Sequence, residues 1–114
     1  MQTNEELPLE LDVHAVAEKL QRNDDFLLLD VREPSEYTMA KIDGSVLLPM
    51  SELAGRAGEL DPHQARLIVV HCHHGGRSLQ VTHALRASGF SRVQNMAGGI
   101  DQWSLQIDAS VPRY

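Results

Sequence analysis

The sequence predicts an α/β fold, built on a central, mainly parallel five-stranded sheet with helices on both faces. Three observations predict it. Strand-like and helix-like segments alternate along the chain. Two apolar runs, "FLLLDV" (residues 26–31) and "LIVVHC" (residues 67–72), are continuous, as strands covered on both faces must be. Hydrophobic residues make up 42% of the chain and aromatics 4%, so the core is expected to be aliphatic.

The elements follow in order. "LPLELD" (residues 7–12) reads as a short strand. Asp12 can cap a helix in which Val13, Val16, Ala17 and Leu20 fall on one face. "FLLLDV" is a buried strand ending at Asp. "REPSEYTMA" (residues 32–40) carries Pro34 near a first helical turn and reads as a short helix. "SVLLP" is a strand stopped by Pro49. Ser51 can cap "SELAGRAGEL" (residues 51–60), a helix weakened by Gly55 and Gly58. "RLIVVHC" (residues 66–72) is the next buried strand. "RSLQVTHALRAS" (residues 77–88) is a helix, with Val81, Ala84, Leu85 and Ser88 on one face and Gly89 as its stop. "FSRVQNM" (residues 90–96) is the last strand, and "AGGIDQW" (residues 97–103) opens the last helix.

The 114 residues are expected to form a single domain with its core at about residues 9–106 and a tail at residues 107–114. Formal net charge is -6, which disfavours nucleic-acid and membrane surfaces as partners. The opening "MQTNEELPLELDV" lacks the basic and apolar regions of a leader, and no apolar run is long enough to span a bilayer. One cysteine excludes an internal disulfide. These features fit a cytoplasmic location.

Chemistry concentrates in "HCHHGGRS" (residues 71–78). Cys72 falls where a buried strand gives way to a helix, the position at which sites form in open α/β sheets. Unpaired N–H groups of a first helical turn point there, and the helix dipole adds partial positive charge. Gly75 and Gly76 permit a backbone nest of N–H groups, and Arg77 adds a cation. Each favours thiolate over thiol, which makes Cys72 the candidate nucleophile. A lone cysteine is ordinarily a small buried hydrophobe, but the Gly-Gly-Arg-Ser that follows argues otherwise.

The loop spacing narrows the chemistry. Tyrosine phosphatases place five residues between the Cys and Arg of their "HC…RS" signature. This chain has four: His73, His74, Gly75 and Gly76. The tighter ring suits one sulfur atom on the cysteine better than a tetrahedral phosphate. Phosphatase or arsenate-reductase chemistry is therefore a remote alternative. A metal site from His71, Cys72, His73 and His74 is disfavoured, because neighbouring strand residues point to opposite faces.

In "LLLDVREPSEY", "KIDGSVLLP", "IVVHCHHGGRS" and "ALRASGFSRVQNMAGGIDQW" the chain resembles a single-domain rhodanese, a sulfurtransferase, from about Asp12 to Trp103. The resemblance implies that Cys72 carries a persulfide, that His73, His74, Gly75, Gly76 and Arg77 complete the active-site loop, and that Ser78 opens the helix behind it. It implies sulfur taken from thiosulfate or a persulfide and passed to cyanide, a thiol or a protein acceptor, with no metal or organic cofactor. A non-catalytic persulfide-carrying or redox-sensing module is the alternative. The C-terminal "GGIDQWSLQIDASVPRY" also resembles rhodanese domains fused to adenylyltransferases, which implies a sulfur-carrier or adenylyltransferase partner.

Asp30 and Arg32 are supporting candidates. They either fix the loop by charge-assisted hydrogen bonds or close the strand end as an ion pair. His71 is expected to be an inward strand residue with a satisfied ring. His73 and His74 are expected to point to solvent at the pocket mouth. His14, His63 and His83 are assigned no role. Gly98, Gly99 and Trp103 are expected to be structural. Two departures from the family stand out. Ala40-Lys41-Ile42-Asp43-Gly44-Ser45 replaces a Gly-His-Ile-Pro-Gly-Ala turn, and His73 stands where Arg is frequent. An unperturbed histidine is mostly neutral near pH 7, which makes the mouth less positive, weakens the case for dianionic thiosulfate as the donor and makes a protein or small-molecule persulfide the alternative.

Overall fold

A computed structural model describes residues 7–114. Residues 1–6, which open the stretch read above as lacking a leader, lie outside them. Five strands form one all-parallel sheet in the order β1-β5-β4-β2-β3. They are β1 (Glu10–Leu11), β2 (Phe26–Asp30), β3 (Ser45–Leu47), β4 (Leu67–His71) and β5 (Val93–Met96). The helices are α1 (Val13–Gln21), α2 (Pro34–Met39), α3 (Leu53–Arg56), α4 (Gly76–Ala87) and α5 (Gly99–Gln106).

The continuous apolar runs divide their side chains between two cores. Phe26 and Leu28 of β2, with Leu67 and Val69 of β4, face the core shared with Val13, Val16, Ile100 and Trp103. Leu27, Leu29, Ile68 and Val70 face the opposite core, with Val81 and Leu85 of α4. This is the period-two alternation of a strand with helices above and below it. Each fully buried aliphatic side chain contributes about 1.5–3 kcal/mol.

The expected boundaries shorten at most ends, and three expectations change more. The stretch read as one weak helix (residues 51–60) is a 3-10 turn at Met50–Glu52, one α-turn at α3, then a 3-10 stretch at Ala57–His63. Two glycines and Pro62 deny it a continuous α-helical ladder. Ser51 does not cap it; its hydroxyl donates to Glu33 Oε1 at 2.8 Å. On α4 the buried face is Ser78, Val81, Thr82 and Leu85, while Ala84 and Ser88 are exposed. Hydroxyl groups whose hydrogen bonds are met inside the helix, such as Thr82 Oγ1 to Ser78 O at 2.8 Å, can be buried where hydropathy alone excludes them.

Other local signals hold. Asp12 Oδ1 accepts from Ala15 N at 2.9 Å as the cap of α1. Pro34 opens α2, and Gly89 takes φ +101° past the end of α4. The altered turn at residues 40–45 closes normally, with Ser45 N donating to Ile42 O at 3.1 Å. The tail packs back onto the domain: Val111 is buried in the same apolar core as Trp103 and Ile42.

Candidate functional site

β4 is central, between β5 and β2. The register sets Asp30 opposite His71, so the carboxyl ends of β2 and β4 are adjacent, as the supporting role of Asp30 and Arg32 required. Cys72 follows β4 directly and is 1% exposed. The chain then turns through residues 73–75 into α4.

Three hydrogen bonds converge on Cys72 Sγ. Gly75 N donates at 3.2 Å, Ser78 N at 3.3 Å and Ser78 Oγ at 3.3 Å. Burial pushes the thiol pKa up, but the Ser78 hydroxyl and the N–H groups of Ser78, Gly75 and His74 outweigh it, and the net displacement is downward. The thiolate therefore has its charge stabilised by fixed donors.

The two loop glycines differ. Gly75 has φ +109°, a left-handed conformation that side-chain-bearing residues resist. Gly76 is the first residue of α4 without positive φ, and a Cβ there would meet nothing within 4 Å. Only Gly75 meets the conformational expectation.

The outer side of the loop is tied to α5. Ile100 N donates to Cys72 O at 2.9 Å, and Asp101 N to His73 O at 3.1 Å. Gly99 makes this approach possible. Its φ is +62°, and a Cβ there would lie 2.6 Å from Cys72 O and nearer still to His73 O. Gly99 thus shapes the loop directly, a role beyond a tight turn. Asn95 Nδ2 adds a bond to Gly75 O at 3.3 Å.

Arg77 does not present a free cation. Its guanidinium clasps Glu36 through Nη1–Oε1 at 2.7 Å and Nη2–Oε2 at 2.9 Å. The Arg77 hydrogen bond, opposed by burial, lowers the Glu36 carboxyl to about 2. Nothing in the sequence marks Glu36 as a site residue; its place three residues after Glu33 signals only the capping box of α2, which is present.

Asp30 and Arg32 form a fully buried pair, with Nε–Oδ1 at 2.9 Å and a short Nη2–Oδ2 contact at 2.6 Å. Arg32 bonds Ala40 O at 2.7 Å, Glu36 O at 3.3 Å and Tyr114 Oη at 2.9 Å. Its hydrogen bonds therefore go to α2, the following turn and the tail, with none to the Cys72 loop. The pair touches the surroundings of the loop only where Arg32 meets Tyr114 Oη and Glu36 O.

The histidines separate. His71 is buried with Nε2 unpaired, 3.8 Å from Asp30 Oδ2. Its ring is therefore less satisfied than expected. Burial lowers its pKa, which keeps it neutral. His74 points to solvent as expected, with Nδ1 3.9 Å from Asp101 Oδ2. His73 does not: its ring stacks on Tyr114, centroids 3.9 Å apart and planes 9° off parallel. Burial and the neighbouring His74 lower its pKa. Among the described residues, no three His, Cys, Asp or Glu side chains converge as metal ligands. His14 bonds Gln106 at 2.9 Å and His63 bonds Arg66 at 3.1 Å, both away from the loop.

A family model described as "Rhodanese-like domain" matches residues 12–106. The chain is 37% identical over 95 residues to the Arabidopsis thaliana "Rhodanese-like/PpiC domain-containing protein 12, chloroplastic", covering 80% of this chain and 31% of that protein. It is 34% identical over 95 residues to a "Sulfurtransferase" of Allochromatium vinosum, covering 83% and 87%. "Probable adenylyltransferase/sulfurtransferase MoeZ" of Mycobacterium tuberculosis shares 34% over 76% of this chain, which spans 22% of that protein. The solution structure of the rhodanese-like domain of the Anabaena Alr3790 protein superposes with TM-score 0.77 at 28% identity, covering 87% of this chain and 75% of that one. No helix among the described residues is long and apolar enough to cross a membrane. The strand-to-helix cysteine loop, the all-parallel sheet and the match over residues 12–106 place the chain in the rhodanese-like domain family.

Proposed function

We propose that the protein is a sulfurtransferase in which Cys72 takes up and passes on a sulfane sulfur. The observation that carries this reading is the set of three donors on Cys72 Sγ, from Gly75 N, Ser78 N and Ser78 Oγ. Donors aimed at a buried sulfur stabilise an anion there without reorganisation. In the first step the thiolate attacks the outer sulfur of a donor. The new S–S bond forms as the donor's own S–S bond breaks, and the leaving group departs with the electron pair: a thiolate from a persulfide, sulfite from thiosulfate. In the second step cyanide or a thiolate attacks the terminal sulfur of Cys72–S–S⁻ and restores the thiolate, giving thiocyanate or a new persulfide. Sulfur is held covalently throughout, so the cycle needs no cofactor. Low-pKa leaving groups favour each transfer, as in thiol–disulfide exchange.

A persulfide suits this mouth better than thiosulfate. His73 is displaced toward the neutral form, and Arg77 is paired with Glu36. Little free positive charge remains to attract a dianion. The likeness to an adenylyltransferase/sulfurtransferase supports a protein partner in sulfur transfer.

Intact mass tests the reading. Incubation with a small persulfide or with thiosulfate should add one sulfur atom, absent in Cys72→Ser, and cyanide or a thiol should remove it catalytically. No adduct from any donor, or an adduct that survives Cys72→Ser, would refute it. A stable adduct that no acceptor discharges would identify a carrier or sensor instead.

A further inference from the structure

The tail meets the Cys72 loop through Tyr114. Tyr114 stacks on His73, the residue next to Cys72. Its hydroxyl donates to Glu36 Oε2 at 2.9 Å and accepts from Arg32 Nη1 at 2.9 Å. Glu36 in turn holds Arg77, at the far side of the same loop. A continuous chain of contacts, His73–Tyr114–Glu36–Arg77, thus joins the two ends of the loop that follows Cys72, itself 1% exposed. Burial pushes the Tyr114 phenol up to about 12, so it keeps the proton it donates to Glu36.

The tail is anchored short of Tyr114. Val111 is buried, and Arg113 Nε bonds Asp101 Oδ1 at 2.8 Å. Tyr114 itself is 37% exposed, held by one stacked face and two hydrogen bonds.

We propose that Tyr114 is a specificity-determining residue that sets the size of the molecules reaching Cys72. With the ring seated on His73, small, extended donors and acceptors reach the sulfur, and bulky partners must first displace Tyr114. The inference rests on the reading of Cys72 as the sulfur-accepting group.

The lone cysteine of the chain allows an access test that needs no sulfur transfer. Alkylation rates of wild type, Tyr114→Ala and Tyr114→Phe would be measured with iodoacetamide and with a maleimide carrying a polyethylene glycol chain. A strap closed about nine-tenths of the time predicts that Tyr114→Ala accelerates the bulky reagent about tenfold and iodoacetamide less than about twofold. Tyr114→Phe keeps the stack and loses the hydroxyl bridge, so the bulky reagent should accelerate about threefold. Far-UV circular dichroism confirms folding; if Tyr114→Ala does not fold, Tyr114→Phe carries the test. An unchanged bulky-reagent rate overturns the proposal. So does equal acceleration of both reagents, which would mean that Tyr114 acts on the thiolate itself. A size effect without any persulfide adduct would refute sulfur transfer while leaving the gate in place. An adduct without a size effect would do the reverse.

Discussion

Ser78→Ala isolates the side-chain share of thiolate stabilisation. The hydroxyl is one of three donors to Cys72 Sγ and lies at 3.3 Å, while the Gly75 and Ser78 N–H groups remain in the variant. A bond of this length to a diffuse sulfur is worth about 1 kcal/mol, near the value for a neutral pair. The donors lower the thiol pKa, so losing one raises it, and the thiolate fraction below the midpoint falls roughly fivefold. A more basic thiolate is also intrinsically more nucleophilic, by about twofold for a displacement of this size. The two effects oppose each other at low pH and separate at high pH. Iodoacetamide alkylation should therefore slow about two- to threefold below the midpoint and rise about twofold on the alkaline plateau. The assay is the pH–rate profile of the single cysteine. A loop that had merely loosened would shift both limbs in the same direction. That result, or an unmoved midpoint, would refute the assignment of Ser78 as a donor to the thiolate.

Three further outcomes are expected. Gly99→Ala places a methyl against Cys72 O and His73 O at a positive φ, and should destabilise the protein by about 2–4 kcal/mol in urea titration while loosening the loop. Asp30→Ala leaves the fully buried Arg32 without its carboxylate and should cost about 3–5 kcal/mol, with Asp30→Asn intermediate. The Glu36 carboxyl is depressed from 4.5 to about 2 in the fold, so its stabilisation is complete above its ordinary value and is lost as pH falls through about 2. Urea midpoints across that window should fall in wild type and be flatter in Glu36→Gln.

What the chain disclosed in advance was mostly local. The runs 26–31 and 67–72 are continuous because both faces of β2 and β4 are covered, and that pattern is visible in the letters. Cys72 is legible because a strand ending, a left-handed glycine and a helix start lie within a few residues of it. The site's outer half is long-range and was not legible. Arg77 meets Glu36 across 41 positions, and Tyr114 meets Arg32 across 82. Nothing in the spacing of those residues records their meeting. Arg77 therefore read as a free cation, and the last eight residues as a tail. Gly99 read as a turn residue because a glycine signals permissiveness, without saying which carbonyl is approaching it. The buried face of α4 departs from the hydropathy pattern for another reason: Ser78 and Thr82 satisfy their hydroxyls at Cys72 and within the helix, so they sit where hydropathy expects apolar residues.

The tethering of Cys72 O and His73 O to α5 has a consequence for charge selection. With those carbonyls fastened outward and the amides of Gly75 and Ser78 turned inward, the peptide planes cannot flip to present oxygen to the sulfur. The sign of the field at Cys72 is wired into the main chain. Rim side chains such as His73 and His74 can be exchanged to tune which anion arrives, but no exchange among them would make the centre welcome a cation.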